Sequence, residues 1–202
     1  MTRTKPAILI AALLALVVPG AIAAPQASVP ESGKLQFDVI RKGRDIGDYT
    51  LKFRGKGDDL TVSVLTDVMV RVPIIGVSAY NFNQTGTETW KNGKLAGLET
   101  TTDDNGTPHN IRVGATSLVP ASLWSADIVK STQVLNTIDG STDRISVRNL
   151  GTETVETGHG AVEAQHFALS GDLQRELWFA DGKLVHVRFQ ADDGSQIDYV
   201  LR

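Results

Sequence analysis

Four histidines, His109, His159, His166 and His186, are the residues best suited to acid–base or metal chemistry. None stands in an H-E-x-x-H or H-x-H spacing, the local patterns that bring two ligands to one face. His166 and His186 fall in strand-like stretches with no acidic residue adjacent on their own face. The plain reading places His186 beside Arg188 on a polar face and His159 in a glycine-flanked turn. A metal site would need ligands gathered from distant parts of the chain, so no metal, cofactor or catalytic residue is assigned.

The aspartate pairs Asp58-Asp59, Asp103-Asp104 and Asp192-Asp193 look at first like calcium ligands. The alternating oxygen-ligand loop with a distal glutamate is missing. Each pair lies next to a glycine-containing turn, where aspartate is favoured because its side chain bonds nearby backbone. Nucleophiles are equally sparse. There is no cysteine. Gly76-Val77-Ser78-Ala79-Tyr80 starts like a nucleophile elbow but lacks its second glycine and sits in a strand pattern. No glycine-rich phosphate loop occurs, and paired carboxylates at glycosidase distance cannot be read from one sequence.

A different chemistry is suggested by "VMVRVPIIGVSAYNF" (Val68 to Phe82), the most apolar stretch after the N-terminal region. Pro73 and Gly76 interrupt it, so it does not read as a plain central strand. One reading is a long bent strand with a buried bend. The other is an apolar lip at a barrel mouth, where Val72, Ile74 and Ile75 meet a greasy ligand. Tyr80 and Phe82, which share a parity with Trp90, and Trp124 from a downstream segment complete this candidate ligand-binding set.

The elements that must position these residues are strands. Leu35, Phe37 and Val39 alternate with polar residues, as do Tyr49, Leu51 and Phe53, the series Leu60 to Val70, and Val185, Val187 and Phe189. Period two means one buried and one polar face. Asn92-Gly93, Asn105-Gly106, Asp139-Gly140, Asp181-Gly182 and Asp193-Gly194 are hairpin dipeptides, tolerant of the positive φ that tight turns require. The expectation is an all-β, mainly antiparallel fold, a strongly curved sheet or incomplete β-barrel of about ten strands. One short helix is expected in "SLVPASLWSADIV" (Ser117 to Val129), with Pro120 near its start and Leu123, Trp124 and Ile128 as its apolar stripe, packed on the sheet or plugging one end.

A pattern occurs twice: "ETWKNGKLAGLETTTDDNGT" from Glu88 and "ELWFADGKLVHVRFQADDGS" from Glu176. Each has a tryptophan, a turn closing on glycine, Lys-Leu, a strand and a second turn. Two copies are too few for a solenoid. They read as equivalent hairpins, with Trp90 and Trp178 as core anchors.

The N-terminus reads as a cleaved signal peptide over residues 1–23. Arg3 and Lys5 precede the apolar run Ala7 to Val18, and Ala21-Ile22-Ala23 is a small-residue cleavage site. The run is too short to span a bilayer, and no later stretch is apolar enough for a transmembrane segment. With no cysteine to carry lipid, the mature chain is expected in the periplasm or secreted. Residues 24–33, rich in Pro and Ser, read as a flexible lead-in, and 34–202 as a single β-rich domain. The net charge is −3, and removing Arg3 and Lys5 makes the remainder more acidic. With no basic cluster, nucleic acid and anionic membrane surfaces are poor partners.

The order of "VPASLW" (Val119 to Trp124), "LNTIDG" (Leu135 to Gly140), "GAVEAQHFALSGDLQRELWF" (Gly160 to Phe179) and "DDGSQIDYVL" (Asp192 to Leu201) resembles an uncharacterised family of exported bacterial proteins, a domain of unknown function. More distantly, the strand plan resembles the periplasmic lipoprotein-carrier fold, an incomplete β-barrel around a helix-plugged apolar cavity. Neither resemblance brings catalytic residues, and fold analogy alone does not establish function.

Three functions follow as alternatives. The first is a soluble exported protein binding or carrying an apolar, lipid-like small molecule in a curved sheet. The second is an envelope structural or interaction module that binds a partner protein through an edge strand. The third, a hydrolase with dispersed carboxylates or histidines, has no motif behind it.

Overall fold

A computed structural model describes residues 28–56, 59–71 and 78–202. The chain builds one 13-stranded sheet. Its first half is an antiparallel meander: β1 (Lys34–Arg41), β2 (Arg44–Lys56), β3 (Asp59–Arg71), β4 (Ser78–Lys91), β5 (Lys94–Asp104) and β6 (Thr107–Val113). Two short strands follow, β7 (Val119–Pro120) and β8 (Gln133–Leu135), with a 3₁₀ helix at Ala126–Lys130 between them. The second half is another meander: β9 (Thr142–Thr157), β10 (Gly160–Gly171), β11 (Arg175–Ala180), β12 (Lys183–Gln190) and β13 (Gln196–Leu201). β13 pairs with β1, Phe37 opposite Leu201, and joins the halves. The sheet runs from β6 at one edge to β7 at the other and does not close into a barrel.

The all-β expectation therefore holds, with more strands than the roughly ten legible from alternation. The additions include β7 and β8, two and three residues long and too short to display a period. The helix is also shorter than expected. Val119–Pro120 lies in a strand, Leu123 takes a left-handed φ of 67°, and helical structure begins at Ala126, after the N-cap Ser125.

Alternation decides which face is buried. Phe37, Val39, Leu51, Val62, Leu98, Leu177, Phe179, Leu184 and Val187 converge in one core on the concave side. The segment 118–137 lies across that face and contributes Trp124, Ala126, Ile128 and Val134 to the same core. It is pinned by polar contacts from the sheet wall. The Tyr49 hydroxyl donates to the Ser122 carbonyl. The Thr137 carbonyl accepts from Thr100 Oγ1 at 2.7 Å and Gln84 Nε2 at 3.1 Å. These bonds explain how Thr100 and Gln84 can be buried among apolar side chains: each satisfies a buried polar group.

The expected tight turns are present at Asn92-Gly93, Asn105-Gly106 and Asp181-Gly182, where both residues have positive φ. In Asp139-Gly140 and Asp193-Gly194 the glycine alone does. Part of the lead-in is docked, since Ser28 bonds the Asp181 and Gly182 carbonyls at the β11–β12 turn. Residues 1–23, expected to be a signal peptide, lie outside the described residues. No helix among the described residues is long and apolar enough to cross a membrane.

Candidate functional site

The plugging segment leaves one end of the concave face open. Because the strands are antiparallel, the end of β1, start of β2, end of β3, start of β4, start of β11, end of β12 and the β12–β13 turn all meet there. They enclose a cavity of about 490 Å³. Val39, Val68, Val70, Phe82, Phe189 and Ile197 supply much of its apolar wall. A volume in the lower part of the roughly 300–1,000 Å³ range of small-molecule sites suits one compact or single-chain ligand.

Local irregularity shapes this end. In the β1–β2 pairing, Val39 faces Gly47 but Ile40 faces Asp45, so Ile46 is an extra residue. Such a bulge re-aims side chains, and Ile46 joins the cavity wall. Gly47, next to it, has φ 152°, and a Cβ there would lie 1.9 Å from the Asp67 carbonyl oxygen. Close approach of β2 to β3 therefore demands glycine.

Polar groups collect at the rim. The Tyr80 hydroxyl donates to Asp104 Oδ1 at 2.9 Å. Burial, reinforced by that carboxylate, raises the Tyr80 pKa well above the ordinary phenol value. Arg41 pairs with Asp193, and its Nε donates to Ser195 Oγ at 2.8 Å. Hydrogen bonds from Ser195 and then from Arg41 hold Asp193 down to about 2. Arg175 is different. Its guanidinium lies 4.0 Å above the centre of the Phe189 ring, and its Nη1 donates to the Gln174 carbonyl at 2.7 Å. Burial lowers its pKa, while nearby Tyr199 opposes that shift.

Of the expected ligand-binding residues, Tyr80 and Phe82 line this cavity. Val72, Ile74 and Ile75 lie outside the described residues. Trp124 lies elsewhere in the core, edge-on to Phe53 at 5.2 Å and to Trp90 at 5.3 Å. Its indole N–H donates to Glu88 Oε2 at 2.8 Å. Arg175, Phe189, Tyr199 and the β12–β13 turn also line the cavity and stand outside the set that the sequence suggests. Period two did offer a signal for Arg175, which shares its parity in β11 with the buried Leu177 and Phe179.

A second polar group occupies the opposite face of the sheet. His166 stacks on Trp178 with ring centres 4.1 Å apart. Glu153 lies 3.1 Å from His166 Nδ1 and accepts the Trp178 indole N–H at 2.5 Å. Glu176 stands 3.4 Å from His166 Nε2. On adjacent strands Asp198 Oδ1 bonds His186 Nε2 at 2.9 Å and accepts from Arg188 Nε at 2.7 Å. Cross-strand pairing thus gives both histidines acidic neighbours that alternation along a single strand does not reveal. His186 does share its polar face with Arg188. Burial, partly opposed by Asp198, lowers the His186 pKa. Burial would raise Asp198, but hydrogen bonds from Gln196, His186 and Arg188 outweigh it and lower its pKa.

Among the described residues no group of three or more His, Cys, Asp or Glu side chains is placed to hold a metal ion. Two of the aspartate pairs do turn work: Asp103 Oδ1 accepts from the Gly106 N–H at 2.7 Å, and Asp193 Oδ1 from the Ser195 N–H at 3.0 Å, while Asp58 of the third lies outside the described residues.

No curated protein and no solved structure matches the chain. What spans the curved sheet from the middle of β1 to the C-terminus is a family model: described as a domain of unknown function (DUF6134), it matches residues 37–202, and the chain belongs to that family.

Proposed function

We propose that the mature chain is an exported protein that binds or carries an apolar, lipid-like small molecule in the open end of its curved sheet. The observation that carries this reading is the cavity of about 490 Å³ walled by Val39, Val68, Val70, Phe82, Phe189 and Ile197. Val70, Phe82 and Phe189 are only partly buried there and forgo burial worth roughly 25 cal/mol per Å², which a greasy ligand restores. The alternative of partner binding by strand addition draws less support from the sheet edges. Edge β6 contains Pro108, and edge β7 is two residues long and ends in Pro120. Proline and brevity both blunt an edge against pairing.

The test is uptake of an uncharged fluorescent lipid, the methyl ester of a polyene fatty acid. Wild type should bind it saturably, and Val70→Trp, which fills the cavity, should abolish binding while the melting temperature stays close to wild type. Absence of saturable uptake by wild type overturns the reading. Its export component predicts that N-terminal sequencing of secreted protein begins at Ala24, and a retained Met1 would contradict it.

A further inference from the structure

Arg175 is a cation in an apolar wall with no carboxylate partner among the described residues. The other arginine of the cavity, Arg41, is neutralised by Asp193. Arg188 is paired with Asp198 and Arg202 with Asp38 and Asp48. For Arg175, no ion pair occurs among the described residues. Of the five N–H donors a guanidinium carries, one reaches the Gln174 carbonyl. One face lies on the Phe189 ring. Phe189 in turn stands edge-on to Tyr199, ring centres 5.7 Å apart, and both line the cavity. A half-buried charge in such surroundings is costly unless it is paired and hydrogen-bonded, and the fork of a guanidinium matches a carboxylate in two-point geometry.

The carboxylates around the cavity sit at its rim, where Arg41 and, at 3.9 Å, Lys42 face Asp193. Asp192 and Asp193 belong to the β12–β13 turn and are exposed, and Asp104 is held by Tyr80. None lies within ion-pair distance of Arg175. Among the described residues, Arg175 is therefore the cation of this wall that no anion compensates.

We propose that the ligand is a single-chain anionic amphiphile, a long-chain carboxylate, whose headgroup pairs with the Arg175 guanidinium while its hydrocarbon lies against Val39, Val68, Val70 and Phe82. This deepens the lipid-binding reading and rests on it. A cavity in the lower part of the small-molecule range favours one acyl chain over a two-chain lipid. The acidic rim does not select for the headgroup; Arg175 does.

The two claims separate in one experiment on the full chain at pH 8. Titrate wild type, Arg175→Gln and Arg175→Lys with a polyene fatty acid and, separately, with its methyl ester. Melting temperatures serve as the folding control, and the lysine variant keeps the comparison open should the glutamine variant fold poorly. Wild type should bind the acid about tenfold or more tightly than the ester, the scale of a charge-assisted hydrogen bond. Arg175→Gln should erase that preference without losing the ester, and Arg175→Lys should retain part of it. Equal affinity of wild type for acid and ester overturns the headgroup assignment and leaves lipid binding standing. A preference that survives in Arg175→Gln overturns the role of this residue. Failure of wild type to take up either molecule overturns both readings.

Discussion

Trp90 and Trp124 donate their indole N–H groups to the same oxygen, Glu88 Oε2, each at 2.8 Å. The two tryptophans come from the sheet wall and from the segment that covers it. Glu88 is fully buried, so a carboxylate deep in the core ties plug to sheet. Its Oε1 lacks a hydrogen bond of good geometry, although Ser122 is close enough to favour the charged form. Burial dominates and raises the Glu88 pKa.

Removing the acceptor should cost more than removing the charge. Glu88→Ala leaves two buried indole donors unpaired, at about 1–3 kcal/mol each. Glu88→Gln keeps an acceptor and removes the desolvated charge, so it should be close to neutral near pH 7. The sign of its pH dependence follows from the raised pKa. The folded state binds a proton more readily than the unfolded state, so the wild-type contribution is present at low pH and declines as pH rises through the folded value. Glu88→Gln should therefore gain on wild type between pH 4 and pH 8, as read from urea midpoints. A constant difference across that range would contradict a raised Glu88 pKa.

Two glycines with positive φ should respond very differently to alanine. At Gly47 the added Cβ meets the Asp67 carbonyl oxygen at 1.9 Å and the Val68 Cα at 2.8 Å, both backbone atoms. Strands β2 and β3 must separate, and a loss of at least about 3 kcal/mol is expected. At Gly93 the Cβ enters open space and meets only the left-handed penalty of φ 69°, about 1 kcal/mol. Urea denaturation of both variants gives the comparison. Similar losses would mean that β2 and β3 are not in close contact at Gly47.

Much of this architecture is legible in alternation, and the exceptions have a common cause. The two tryptophan hairpins are equivalent by register. Trp90 faces Leu95 and Phe179 faces Leu184, each with a bulge at the same place relative to the turn. Trp178, however, lies one residue further from its glycine than Trp90 does. A single step reverses the face in a strand, so Phe179 takes the place of Trp90 in the main core while Trp178 packs with Val155, Ala164 and Val185 on the other side. Matching by residue type suggests equivalent tryptophans, whereas matching by turn position does not. Glu88 and Arg175 are legible as charges on apolar faces, but their partners are not. Trp124 is 36 positions from Glu88, and a single strand says nothing about which side chains lie across a curved sheet.

His186 makes a second pH-dependent contribution, of the opposite sign. Its folded pKa lies below the ordinary 6.5, because burial disfavours the imidazolium more than Asp198 favours it. The unfolded state then binds the extra proton, and stability falls as pH drops below about 6.5. Asp198, whose pKa is also lowered, contributes above its ordinary 3.8 and loses that contribution on further acidification. The positive charge of Arg188 also disfavours protonation of His186. His186→Gln should flatten the fall in melting temperature between pH 7 and pH 5. An unchanged slope would remove His186 as its source.

Trp124 and Phe82 separate packing from binding. Trp124 contacts Phe53, Trp90 and Glu88 in the core and is not part of the cavity wall. Trp124→Phe removes one donor to a buried carboxylate and some packing, a loss of about 1–3 kcal/mol. Affinity of the folded variant for a fluorescent lipid ester should stay at the wild-type value. Phe82→Ser strips apolar surface from the cavity wall itself. If the ligand covers that surface, affinity should fall about tenfold or more, the equivalent of losing roughly 1.5–3 kcal/mol of aromatic burial. Phe82 is half-buried, so part of its contribution to stability is already missing and the melting temperature should fall less than in Trp124→Phe. The reverse pattern, lost affinity in Trp124→Phe and unchanged affinity in Phe82→Ser, would move the ligand away from the open end and under the plug.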